Sequence, residues 1–227
     1  MKSMKAILIM MGLAVSCFAA ITTHASLTLD FAVATGSAIQ FNGTSYSFEF
    51  TSTGYQWEIT SAIGSQATGS AIGLYGSFAG GPFGYGGISS PFPGVQTASV
   101  TTPTILEIFD GTGFLTANAS FTDVSTSFNG VLGIINLNSV VNLSHFSYIG
   151  TNADLMTLAQ SGEGSLVMSF PFTTTETLTQ LSSGSTPIAT SYSGNIEAVP
   201  MPEPATMAAG ALLLIPLGWG SLRMFRK

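Results

Sequence analysis

Acid–base chemistry has few places to happen in this 227-residue chain. A Ser-His-Asp site needs a histidine to take the serine proton. Of the two histidines, His24 falls in the N-terminal leader and only His145 is left for the body. It lies in Asn142–Tyr148, where strand alternation places Leu143, His145 and Ser147 on one face and Asn142, Ser144, Phe146 and Tyr148 on the other, the setting of an ordinary strand histidine. No serine has glycines two residues before and two after it, so the nucleophile elbow is missing. Glycoside hydrolysis needs only a pair of carboxylates, and Glu49, Glu58, Glu107, Asp110, Asp123, Asp154, Glu163 and Glu176 are available. Glu49, Glu58 and Glu107 fall on the polar rows of predicted strands, where a solvated acid is the default. Asp110-Gly111-Thr112-Gly113 and Asn152-Ala153-Asp154 are turn sites with oxygen ligands, but neither has the spaced acids of a calcium-binding EF-hand loop. The expectation is no catalytic, cofactor-binding or metal-binding residue in the body. The single cysteine, Cys17, also lies in the leader, so thiolate–metal and disulfide chemistry have no residues to use.

The elements that would position these groups read as strands. Leu27, Leu29, Phe31 and Val33 alternate with polar and small residues, and Tyr46, Phe48 and Phe50 repeat the pattern after Asn42-Gly43. That dipeptide favours a two-residue type I′ turn and predicts a hairpin over Ile39–Phe50. Tyr55, Trp57 and Ile59 alternate again. Further strands are expected over Ile105–Phe109, Phe114–Phe121, Val131–Leu137, Val140–Tyr148 about a turn at Asn138-Ser139, Leu166–Phe172 and Thr190–Glu197. One short helix is expected over Ala153–Gln160. Gly69–Gly94 carries nine glycines among Leu74, Tyr75, Phe78, Phe83, Tyr85 and Phe92 and reads as a long irregular loop, either an aromatic contact surface or a flap covering a sheet face. The fold class is all-β, a single β-sandwich or jelly-roll-like domain with a Gly/aromatic-rich loop, flanked by an N-terminal signal peptide and a C-terminal transmembrane helix.

The two ends carry the clearest signals. Lys2 and Lys5, an apolar run Ala6–Ala20 and Thr23-His24-Ala25 describe a secretory signal peptide cut after Ala25. At the other end Val199-Pro200-Met201-Pro202-Glu203-Pro204 leads into Ala205–Leu222, 18 residues without a charge, and then Arg223, Arg226 and Lys227. As a helix that segment would span roughly 27 Å, just enough for a bilayer's hydrocarbon core. Residues 1–25, 26–198 and 199–227 are thus leader, all-β exported domain and tail. All five Lys and Arg residues belong to the leader or the tail. Of the eleven acids only Glu203 is in the tail, which leaves ten carboxylates and no Lys or Arg between Ser26 and Val199. Such a body repels phosphate backbones, which excludes nucleic acid as a partner. The positive-inside tendency keeps the basic end cytoplasmic and the body across the membrane.

Pro202, Glu203 and Pro204, followed by a marginal membrane helix and the cluster Arg223, Arg226 and Lys227, resemble the PEP-CTERM sorting signal of exopolysaccharide-producing Gram-negative bacteria. The resemblance covers the tail alone. It implies an exosortase-type processing protease as partner, transient anchoring in the inner membrane, and delivery to the cell surface or extracellular matrix. Two readings of the body follow. In one it is a non-enzymatic component of the surface or exopolysaccharide matrix, contacting glycans through exposed aromatic faces such as Tyr55, Trp57 and Tyr85. In the other it hydrolyses surface polysaccharide with paired carboxylates. The thin acid–base inventory favours the first.

Overall fold

The computed structural model describes residues 27–129, 134–172 and 177–199. The signal cleavage site at Ala25, the sorting motif Pro202-Glu203-Pro204 and the basic cluster Arg223, Arg226 and Lys227 lie outside the described residues. Among those described, no helix is long and apolar enough to cross a membrane.

The body is all-β, as expected, but its main sheet closes on itself, so the sandwich expectation is corrected. Eight strands pair in the circular order β10 (Phe114–Asn129), β11 (Ile134–Ser147), β12 (Glu163–Pro171), β14 (Ser193–Val199), β1 (Thr28–Val33), β4 (Trp57–Ile63), β5 (Tyr75–Ala79), β9 (Pro103–Phe109) and back to β10. Every adjacent pair is antiparallel. Closure depends on β10, which is long enough to use both of its edges. Its first half pairs with β9 and its second half with β8 (Val95–Ser99), while β11 runs along its other edge. Beyond β8 lies β7 (Ser89–Phe92). Alternation tells which residues share a face, and it is the same in sandwich and barrel; only the stagger between strands decides closure.

An eight-stranded barrel is just wide enough to be filled by its own side chains. Leu29 and Phe31 of β1, Trp57 and Ile59 of β4, Phe78 of β5, Leu106 and Ile108 of β9, Leu166, Met168 and Phe170 of β12 and Ile196 of β14 are all buried. A second antiparallel sheet, β13 (Ile188–Thr190), β2 (Ala38–Asn42), β3 (Ser47–Thr51) and β6 (Phe83–Gly84), adds a layer of rings. Phe41 packs on Phe170, Phe48 and Phe83 pack on Phe121, and Phe50 packs on Phe78 and Tyr192. Offset and edge-on pairs such as these add to the burial itself.

Helix α1 (Ala153–Ser161) is found where Ala153–Gln160 was expected, and it buries Leu155 and Leu158. The short helix α2 (Leu178–Ser183), opened by a capping box between Thr177 and Gln180, was not foreseen. Three further expectations are corrected. The turn after Asn42 is not a two-residue one: Asn42 pairs with Ser47, leaving four residues between, and the Asn42 Oδ1 accepts from the amides of Thr44 and Ser45 at 3.1 and 3.4 Å. Gly43 is needed for another reason, because a Cβ there would lie 2.4 Å from the Gly184 carbonyl oxygen. There is no turn at Asn138-Ser139, which β11 runs straight through. Gly69–Gly94 is not one irregular loop, since it contains β5, β6 and β7.

Candidate functional site

The chemistry-bearing residues are dispersed. Glu49 is exposed, and Glu58 and Glu107 stand half-buried between the inward residues of their strands. No group of three His, Cys, Asp or Glu side chains that could hold a metal occurs among the described residues.

His145 occupies an exposed β-bulge. Asn118 pairs with Ser144 and Thr116 with Ser147, so His145 and Phe146 together oppose Ala117. The extra residue takes φ of 55°, in the left-handed region, and His145 Nδ1 lies 3.1 Å from Ser144 Oγ. The bulge also flips the expected faces. Leu143 is buried and Phe146 packs against the core, whereas His145 and Ser147 point outward.

Two aspartates anchor hydrogen-bonded clusters. Asp154 is fully buried at the start of α1 and accepts from Thr68 N (2.7 Å), Thr68 Oγ1 (2.8 Å) and Ala71 N (3.0 Å), which ties the β4–β5 loop to the helix. Burial works to raise its pKa, but these donors outweigh it and hold the carboxyl below its ordinary value. Asp110 opens the β9–β10 turn. Its Oδ1 accepts from Thr112 N (2.7 Å), Thr112 Oγ1 (2.8 Å) and Gly113 N (2.6 Å), and its Oδ2 accepts from the Tyr148 hydroxyl. The Tyr148 hydroxyl, and then the turn amides, hold Asp110 far below the usual carboxylate range. Burial, and then the Asp110 carboxylate, push Tyr148 up. Both carboxyls are therefore committed anions, the opposite of a raised general acid.

What the structure gathers instead is aromatic. Tyr55 stacks on Tyr75 at 5.5 Å and 18°, and on Phe109 at 5.8 Å and 16°; Phe109 in turn meets Phe114 at 4.9 Å. Phe109 and Phe114 are cross-strand partners, as are Tyr75 and Phe109, so three neighbouring strands each present one ring to the same ledge. Tyr55, Tyr75 and Phe114 are 36, 39 and 47% exposed. Of Tyr55, Trp57 and Tyr85, only Tyr55 presents an exposed ring, while Tyr75 and Phe92 of the Gly69–Gly94 segment are exposed as well. Trp57 is fully buried against Phe31 and Phe78, and Tyr85 is buried with its hydroxyl 3.0 Å from Ser182 Oγ. Phe109 and Phe114 end two expected strands, and the turn Asp110–Gly113 between them brings their rings together across the hairpin.

Next to the ledge is a half-open pocket of about 350 Å³, bounded by Thr112, Phe114 and Thr116 on one side and by Ser147, Tyr148 and Ile149 on the other. Phe114 belongs to both features. Gly150, also in the wall, could not be another residue: a Cβ would overlap the Tyr148 hydroxyl and the Asp110 carboxylate.

No family model, curated protein or solved structure matches this chain.

Proposed function

We propose that the barrel is a non-enzymatic component of the cell surface or exopolysaccharide matrix, which holds glycan through its aromatic ledge and reaches its place by exosortase-type processing of the tail. The observation that carries the binding half is the ledge of Tyr55, Tyr75, Phe109 and Phe114. Exposed rings in contact are costly to keep in water unless they bind something. The body around them carries ten carboxylates and no Lys or Arg, which disfavours anionic ligands, while the apolar C–H face of a neutral sugar stacks on a ring without needing a charge. Against hydrolysis stands the state of two carboxylates among the described residues, from which Glu176 is missing: Asp110 and Asp154 are both stabilised as anions by donors of the protein itself.

The delivery half rests on Pro202-Glu203-Pro204 and the tail behind it. The apolar segment is barely long enough to span and is interrupted by Gly210, Pro216, Gly218 and Gly220, which suits an anchor that is handed over rather than kept. Protein recovered separately from the membranes and the matrix of the producing cells tests both halves. Mass spectrometry is expected to show mature protein without Trp219 peptides, and the matrix fraction is expected to hold the host exopolysaccharide without releasing reducing ends. Stable membrane protein retaining the tail would make it a permanent single-span protein, and released sugar ends would make it a hydrolase.

A further inference from the structure

The ledge does not end at Phe114, which is also a wall of the pocket between the β9–β10 turn and the segment following β11. Building on the reading of the ledge as a glycan surface, we infer that this pocket is a second subsite, which takes the terminal unit of a neutral saccharide chain whose preceding units lie along Tyr75, Tyr55 and Phe109.

Size limits the occupant. At about 350 Å³ the pocket is at the low end of ligand sites, which run from roughly 300 to 1,000 Å³, so it holds a saccharide unit or two rather than a length of polymer. Chemistry narrows it further. One wall is the Phe114 ring, suited to the apolar face of a sugar. Thr116 and Ser147, direct partners across β10 and β11, bring two hydroxyls that form no side-chain hydrogen bond among the described residues. They are free to give and accept bonds with the hydroxyls of a polyol. Thr112 gives its proton to Asp110 at 2.8 Å and keeps its oxygen as an acceptor. The adjacent charge is the Asp110 anion, with no Lys or Arg in the body, so an acidic sugar is disfavoured.

The far side of the pocket is firm. Tyr148 donates to Asp110 and accepts from the Asn152 amide at 2.9 Å, so the wall segment is tied both to the turn opposite and to the start of α1. A sugar chain arriving along the ledge meets this wall and stops, which is why the pocket selects an end. The bulge at His145 is what turns Ser147 outward into the site.

The test uses the full-length chain in detergent and the host exopolysaccharide in two forms, intact and partially hydrolysed, compared at equal mass. Hydrolysis multiplies chain ends without changing the sugar. Wild type is expected to be competed off immobilised polysaccharide about tenfold more effectively by the hydrolysate than by the intact polymer. Ser147→Trp, a change at an exposed position, fills the pocket and is expected to erase that advantage. Tyr75→Ala, outside the pocket, is expected to weaken both. Thr116→Val, nearly isosteric, should reduce the advantage without adding bulk. Equal competition by the two forms, or an advantage that survives Ser147→Trp and Thr116→Val, overturns the end-binding subsite while leaving the ledge intact. Absence of wild-type binding to either form overturns the ledge and this inference together.

Discussion

At the scale of single residues, two side chains stand in opposite relation to stability. His145 is held at φ of 55° by the bulge, a conformation that costs a non-glycine residue about 1 kcal/mol or more. His145→Gly is therefore expected to stabilise the protein by about 1 kcal/mol, and His145→Val, which is β-branched, to destabilise it by a similar amount. Urea unfolding followed by the fluorescence of buried Trp57 measures both. Asp154 works the other way. Its carboxylate bonds two amides and a hydroxyl of the β4–β5 loop without exposure to water, so Asp154→Asn is expected to cost about 3 kcal/mol at pH 7. Because its folded pKa is below the ordinary value of 3.8, this stabilisation is complete above about pH 4 and is lost as pH falls through the folded value. Asp110 shares that sign and window. Stability measured between pH 5 and pH 2 should fall less steeply in Asp154→Asn than in wild type, and least in the double variant with Asp110→Asn.

At the scale of elements, sequence and structure agree where alternation is unbroken and part where a glycine or an extra residue interrupts it. The rows Leu29 and Phe31 of β1, Leu166, Met168 and Phe170 of β12 and Leu155 and Leu158 of the helix were readable because apolar side chains recur there at the period of each element. In β5 the inward row is Gly76 and Phe78, and the glycine conceals the strand. The reason lies in β4: a Cβ on Gly76 would come within 2.2 Å of the Trp57 ring, so the place of that side chain is taken by the indole. Gly76→Ala is expected to cost about 3 kcal/mol and to shift Trp57 emission to the red, whereas Gly113→Ala, where a Cβ meets nothing, should cost less than about 1 kcal/mol. The misplaced faces of Asn142–Tyr148 have a similarly local origin, since a bulge is fixed by the partner strand and leaves no mark on its own sequence. Tyr55 is exposed and Trp57 is buried, because β4 begins at Trp57 and the residue two before it is not bound by the strand's alternation. Half of the ledge was thus within reach of the sequence; the pocket, built from two segments more than thirty residues apart, was not.

At the scale of the whole molecule, like-charge repulsion takes the place of ion pairing. With no Lys or Arg between Ser26 and Val199, the barrel is stabilised by its packed interior and its strand ladders while ten carboxylates repel one another. Salt screens that repulsion and leaves few attractive pairs to weaken. The melting temperature of the body at pH 7 should rise by about 2 to 5 °C between 10 mM and 500 mM sodium chloride. A fall over the same range would show that attractive pairs outweigh the repulsion.

The pairing of β1 with β14 also sets an order of events. Thr28 lies opposite Glu197, and the Ala198 amide donates to the Leu27 carbonyl at 3.0 Å, so the first strand made completes its hydrogen bonding only with the last. On the proposed export route, β1 emerges early and pairs with β4 while its other edge waits for more than a hundred residues. On that route the ring shuts only when β14, which ends at Val199, has been delivered. If the tail halts translocation as proposed, arrest at the membrane and closure of the barrel become one timed step. Loss of the tail's holding action would then be felt first as slower closure of the barrel, before any change in where the protein is found.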